Sequence, residues 1–178
     1  MCLAVASTWD GQPVPGAAVA QVELHRSAVG VRVVVDAPFH GDPAPPGPPG
    51  STPGLWDFEV VEVFFLADGE RYTEVELGPH GHHLVLQLEG VRRPVRSGLP
   101  LDFTATVAEG RWRGVAWVPA SHLPAGWDRL NAYAIQGLGA NRCYLAWRAP
   151  GGDRPDFHRL EAFGRYADEG AAASEAGG

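Results

Sequence analysis

Nine short runs of Val, Leu, Thr and aromatic residues recur along the chain, at 19–25, 29–36, 58–66, 72–77, 83–88, 101–107, 113–118, 132–138 and 143–147, separated by Gly, Pro, Asp or Asn. Side chains of this kind suit a pleated, half-buried surface, and turn residues at such short intervals leave little room for helices. The spacing predicts an all-β protein, a β-sandwich of about nine mainly antiparallel strands. Helical periodicity is weak, with one short turn expected after Pro119 around Ser121, His122 and Leu123.

A chain of 178 residues with 45% hydrophobic content can bury a substantial core, and one domain over 1–166 is expected. Two segments stand apart. Residues 41–54 are dominated by Pro and Gly and should form an exposed, partly polyproline-II loop, while 167–178 carry small and acidic residues and should be disordered. The formal net charge of -7 argues against nucleic acid or an anionic membrane as partner, since both require clustered positive charge. All basic residues are arginine, which reads as coding bias. The first residues lack the charged and apolar regions of a secretory signal, and no apolar stretch reaches membrane-spanning length, so the sequence predicts a cytoplasmic protein. Cys2 and Cys143 are too few for a disulfide framework and are expected as reduced thiols.

The stretch Trp56-Asp-Phe-Glu-Val-Val-Glu-Val-Phe-Phe65, followed by Asp68-Gly69 and Arg71-Tyr-Thr-Glu-Val-Glu-Leu77, reads as two strands joined by a tight turn. With Asp68-Gly69 as a two-residue turn, Phe65 faces Tyr72, Val63 faces Glu74 and Val61 faces Glu76. Glu62 then shares a face with Trp56, Phe58, Val60 and Phe64 and with Thr73, Val75 and Leu77. A three-residue loop would shift that register. A carboxylate among apolar neighbours has a raised pKa or a partner, with Arg142 or Arg159 as structural candidates. It also suits the floor of a ligand cleft. Glu59, Glu74 and Glu76 are expected on a solvated sheet surface.

Other motifs carry less chemistry. His80, His82 and His83 are weak candidates for a metal, because Pro79 and Gly81 break the strand geometry and no third fixed ligand follows. No cofactor is expected. A haem would need paired histidines such as His80 and His158, since Met1 is the only methionine. Arg92, Arg93 and Arg96 read as a solvated loop that could meet a phosphate. Gly137 to Asn141 reads as a hairpin turn, lacking the third glycine of a dinucleotide fingerprint, and neither a nucleophile elbow nor a phosphate loop is present.

The order of the Trp56–Phe65 strand, Tyr72-Thr-Glu-Val-Glu-Leu-Gly-Pro-His-Gly81, Trp112-Arg-Gly-Val-Ala-Trp-Val-Pro119 and Pro155-Asp-Phe-His-Arg-Leu-Glu-Ala-Phe-Gly164 resembles a small, placeholder-named protein family. That family is in turn similar to carbohydrate-binding module family 9 and the wider DOMON-like β-sandwiches. The resemblance runs from about residue 19 to 163 and implies a sugar clasped between two tryptophans above polar side chains. It carries ligand-binding roles to Trp56, Glu62, Gln136, Arg142 and Trp147. It departs at Glu76-Leu77-Gly78, where family 9 modules place an Arg-x-Asn pair, and at Tyr144, where they place Asn.

The expected function is non-catalytic binding of a small carbohydrate or polyol-like ligand. Two alternatives stay open: a sugar-directed enzyme using Glu62 and a second carboxylate, and a protein-interaction domain with no small ligand. The oligomeric state is not legible.

Overall fold

The computed structural model describes residues 1–166; the expectation for 167–178 lies outside the described residues. In chain order the strands are β1 (Cys2–Val5), β2 (Ser7–Thr8), β3 (Ala20–Ser27), β4 (Gly30–Pro38), β5 (Val60–Leu66), β6 (Arg71–Leu77), β7 (His83–Glu89), β8 (Pro94–Ser97), β9 (Asp102–Ala108), β10 (Arg111–Pro119), β11 (Arg129–Gln136), β12 (Cys143–Ala146) and β13 (Gly164–Arg165). All nine runs read from the sequence are present, and the four additions are short strands of two to four residues. Helical structure among the described residues is confined to five three-residue 3-10 turns, one of them at Ala120–His122.

Two antiparallel sheets face each other. The smaller has the order β1-β3-β4-β10-β9 and the larger β2-β12-β11-β5-β6-β7-β8, with β13 alongside β11. Between them lies the main core, where Val61, Val63 and Phe65 of β5, Thr73, Val75 and Leu77 of β6, and Ala132 and Ala134 of β11 meet Val31, Val33, Val35, Trp112 and Val118. Alternation of side chains across each strand then sends the intervening residues of the larger sheet outward. These too are buried. Val60, Phe64, Leu66, Tyr72, Leu84, Leu86, Leu88, Tyr133 and Ile135 form a second cluster, covered by Leu55, Phe157 and Phe163. The central sheet is thus packed on both faces, and every position of β5 is buried.

The β5–β6 register corrects the sequence reading. Ala67 N–H donates to the Arg71 carbonyl at 2.9 Å, and the pairs are Phe65 with Thr73, Phe64 with Glu74 and Glu62 with Glu76. Asp68, Gly69 and Glu70 therefore form a three-residue loop. The left-handed pair is Gly69 (φ 70) and Glu70 (φ 56), one position later than an Asp68-Gly69 turn requires. By contrast, the β9–β10 hairpin closes with the two-residue turn Glu109 (φ 51) and Gly110 (φ 73). The one-residue slip exchanges the faces of β6: Thr73 and Val75 enter the core, while Glu74 and Glu76 join Glu62 on the outer face.

Glu59 is also buried, and its carboxylate accepts the His40 and Asp42 amides at 3.0 and 3.4 Å, which fixes the start of the proline-rich segment. That segment is mostly exposed, as expected. It is tied down by Ser51 pairing with His83 and by the Gly137 amide donating to Asp42 at 2.6 Å. Gly137 has φ +80, and a Cβ there would lie 2.3 Å from the Asn141 carbonyl oxygen. Gly137→Ala is expected to cost about 1–3 kcal/mol through strain and backbone clash. Thermal unfolding checks this; an unchanged midpoint would contradict the geometry of the turn.

Candidate functional site

The second cluster leaves a gap above the middle of the larger sheet. It is a cavity of about 330 Å3 bounded by Trp56, Glu62, Glu74, Leu86, Leu88, Arg92, Pro94, Ile135, Tyr144, Pro155, Phe157 and His158. Sheet residues make the floor, and three segments distant in sequence make the walls.

Trp56 stands on a 3-10 turn, Leu55–Asp57, entered through left-handed Gly54. Leu55 is fully buried and anchors the turn, leaving Trp56 45% exposed. Arg142, on the β11–β12 hairpin, donates to the carbonyls of Trp56, of Asp57 at 3.0 Å and of Gly137 at 3.3 Å. Its guanidinium also lies 5.7 Å from the Tyr144 ring centroid. Arg142 is therefore a brace between the two aromatic walls. On the far side Phe157 stacks on Tyr133, with centroids 3.9 Å apart and planes 6° apart, and meets Tyr144 edge-on.

The polar wall is a connected chain. The Arg92 amide donates to Tyr72 Oη at 2.9 Å, and Tyr72 Oη lies 2.8 Å from His158 Nδ1. Asp156 joins the two ends, accepting from the Arg92 guanidinium at 2.8 Å and from the His158 amide at 3.0 Å. His158 Nε2 reaches to 4.0 Å from Glu74 Oε2.

Glu62, Glu74 and Glu76 are 2%, 4% and 0% exposed, too buried for ordinary carboxylates. Burial, then the Glu74 charge, pushes Glu62 well above the usual carboxylate range, and Arg142 opposes this only in part. Burial raises Glu76 likewise, with Glu62 and Glu74 adding to it; the nearby Trp56 amide pulls the other way without forming a well-directed hydrogen bond. Burial takes Glu74 up to about 8 against the pull of Arg92. The same burial, helped by Arg92, holds His158 down at about 4, so its imidazole is neutral at pH 7. Tyr72 is raised to about 12, chiefly by burial. The site can therefore offer protonated carboxyls, a neutral imidazole and one guanidinium as hydrogen-bond partners beside aromatic faces.

Of the residues singled out from the sequence, Trp56 and Glu62 meet at the cavity, with Arg142 behind them. Gln136 takes the inward face of β11 with Ala132 and Ala134, and Trp147 packs against the inter-sheet core with Arg148 over its ring at 4.7 Å. Neither lines the cavity. Arg159 pairs with Glu161 at 3.0 Å on the surface rather than with a buried acid, and Arg142 serves backbone carbonyls. His80 packs edge-on against Phe39 and His83 against Phe103, while His82 Nε2 faces the Gly47 carbonyl at 3.4 Å. Among the described residues, the one group of three or more potential metal ligands whose atoms converge is Glu62, Glu74 and Glu76. Phe157 was not expected at the ligand site; Arg92 was read as part of a solvated loop that could meet a phosphate, Tyr144 as standing where family 9 modules place Asn, and His158 only as one of a pair that a haem would need.

An antiparallel β-sandwich with an aromatic-walled, acid-floored cavity on the outer face of its larger sheet is the class of protein these features define. The chain is 45% identical over 165 residues to the UPF0462 protein C4orf33 of Homo sapiens, covering 88% of this chain and 82% of that protein. It is 44% identical to the homolog from Danio rerio, again over 165 residues, covering 88% of this chain and 83% of the relative. The chain belongs to the UPF0462 family. No family model matches it. A candidate carbohydrate-binding protein from Bacteroides uniformis superposes with TM-score 0.72 at 17% identity, over 93% of this chain and 84% of that one. A carbohydrate-binding module family 9 protein from Caldicellulosiruptor kristjanssonii, in complex with glucose, gives TM-score 0.50 at 9% identity, over 82% and 74%. These likenesses establish the shared sandwich fold. Among the described residues no helix is long and apolar enough to cross a membrane.

Proposed function

We propose that this protein binds a small carbohydrate or polyol-like ligand in the cavity between Trp56 and Phe157, without turning it over. The observation that carries the reading is the pairing of aromatic walls with a polar floor: Trp56, Tyr144 and Phe157 offer ring faces, and Glu62, Glu74, Arg92 and His158 offer hydrogen-bonding groups in the same space. Sugars present that combination of apolar ring faces and hydroxyl edges. A volume of about 330 Å3 accommodates one or two sugar rings rather than a polymer. The fold shared with carbohydrate-binding proteins is in accord with this. Calorimetric titration with a panel of neutral mono- and disaccharides tests it. Trp56→Ala is expected to weaken binding about 10-fold or more, as for an aromatic anchor worth 1.5–2 kcal/mol. Absence of heat across the panel, with the protein folded, removes the carbohydrate reading.

One observation favours a catalytic alternative. Glu62 and Glu74 both line the cavity, and Glu74, raised to about 8, could hold the proton of a general acid. Release of a chromophore from aryl glycosides, lost in Glu74→Gln, would move the assignment from binding to hydrolysis.

A further inference from the structure

Glu62, Glu74 and Glu76 converge where β5 pairs with β6, and one carboxylate oxygen of each lies within 4.8 Å of the other two. Proximity alone would mean little. A second observation concerns their partners: both oxygens of Glu76, which is 0% exposed, and Oε2 of Glu74, which is 4% exposed, are buried with no hydrogen-bond partner. Among the described residues no arginine forms an ion pair with them, and Arg142 and Arg92 offset their charge only in part and through space. The Arg142 guanidinium is committed to three carbonyls, that of Arg92 to Asp156, and the chain contains no lysine. Native proteins satisfy or pair nearly all such buried groups. Acids placed this way either keep their protons or ionise around a small cation with several open coordination positions.

We propose that these three carboxylates bind a divalent cation of the calcium or magnesium class beneath the cavity. The donor set is oxygen throughout. Cys2 and Cys143 are exposed, and the nearest imidazole, His158, is held by Tyr72 with its other nitrogen 4.0 Å from Glu74. Hard carboxylate oxygens select hard cations, and a calcium ion with bonds of about 2.3–2.6 Å touches three oxygens spaced up to about 4.5 Å apart, close to the spacing these side chains already have. Glu76 does not line the cavity, whereas Glu62 and Glu74 do. An organic ammonium ligand in the cavity would meet only those two, but a bare ion between the strands meets all three. The coordination positions left over face the cavity, where water or ligand hydroxyls would complete the shell. The site stands independently of the carbohydrate reading and differs from the sequence reading, which expected no metal and named His80, His82 and His83 only as weak candidates.

The test uses the full chain, stripped with chelator and then titrated with calcium, magnesium or manganese chloride in the absence of any sugar. The unfolding midpoint is expected to rise by roughly 5–10 °C at saturating ion. Terbium, used as a luminescent calcium analogue, is expected to be sensitised by the neighbouring tyrosine and tryptophan rings. Glu76→Gln, nearly isosteric, should weaken both responses at least 10-fold. Glu62→Gln provides the same comparison if Glu76→Gln fails to fold. Midpoints that do not move with any of the three ions up to about 10 mM, an order of magnitude above the weaker calcium modules, together with absent terbium luminescence, would overturn the proposal. So would responses in both variants as large as that of the wild type.

Discussion

Kept free of metal by a chelator, the protein is expected to lose stability steadily as pH rises from 5 to 8. The reason is the shared direction of three shifts: Glu62 and Glu76 well above the carboxylate range and Glu74 at about 8, all primarily through burial. Below the ordinary carboxylate value of 4.5 these groups are protonated in both the folded and unfolded chain and contribute nothing to the balance. Above it the unfolded chain ionises while the folded one retains its protons, so each group costs about 1.4 kcal/mol per pH unit until its folded value is passed. Several kcal/mol are at stake by pH 8. His158 works in the opposite sense: held at about 4, it costs stability as pH falls below its ordinary value of 6.5, but it is one group against three. Two tyrosines face the acids, Tyr72 and Tyr133, and burial holds both above the ordinary phenol range, so they stay uncharged over this interval. Chemical denaturation at pH 5, 6.5 and 8 reads the slope. Glu76→Gln should flatten it and be more stable than wild type at pH 8. A wild-type stability that stays level or rises over that range would contradict the buried acid cluster.

Phe64→Ala is expected to destabilise the fold by about 3–5 kcal/mol. Phe64 is fully buried on the outer face of β5 and touches four rings: Tyr72 at 6.2 Å, Tyr133 at 5.4 Å, His158 at 5.6 Å and Phe163 at 5.8 Å between centroids. Two of these partners belong to the sheet, while His158 and Phe163 come from the segment laid over it. Removing the ring therefore opens a void between layers that cannot close without moving both. For a chain of this length each kcal/mol lowers the unfolding midpoint by about 2–4 °C, so a fall of roughly 10 °C is expected. A loss below about 1 kcal/mol would mean that the Pro155–Phe163 segment does not form a packed layer.

Both outcomes depend on features that the sequence expresses unevenly. The strands were legible because alternation and turn residues are local signals, and all nine runs appear in the sheets. Of the four strands that went unread, two are only two residues long, Cys2–Val5 lies at the chain's start, and Pro94–Ser97 begins with a proline. Glu62 stood out because an acid interrupted an apolar face. Glu74 and Glu76 did not, since Glu-Val-Glu alternation looks the same whether its polar face meets water or a covering segment. The deciding step was a choice of loop: Asp68-Gly69 carries the standard two-residue signal, yet the left-handed positions fall at Gly69 and Glu70, and one residue of slip puts two acids on the Glu62 face, which the covering segments bury. The cavity walls were harder still. Arg92, Phe157 and His158 sit on irregular segments whose contact with the sheet is a matter of tertiary packing, with no periodicity to announce it. Trp147 misled because its aromatic character fits a core as well as a ligand wall.

An amide and indole NMR titration with the tightest-binding sugar of the panel shows most directly whether the space between Trp56, Glu62, Tyr144 and Phe157 is the ligand site. The expected result is saturable shift changes confined to the Trp56 indole and to Tyr144, Phe157 and His158, all of which border the cavity. Changes centred instead on the separate groove of about 480 Å3 around Arg26, Leu123 and Trp127 would contradict the account. So would a spectrum that no sugar perturbs.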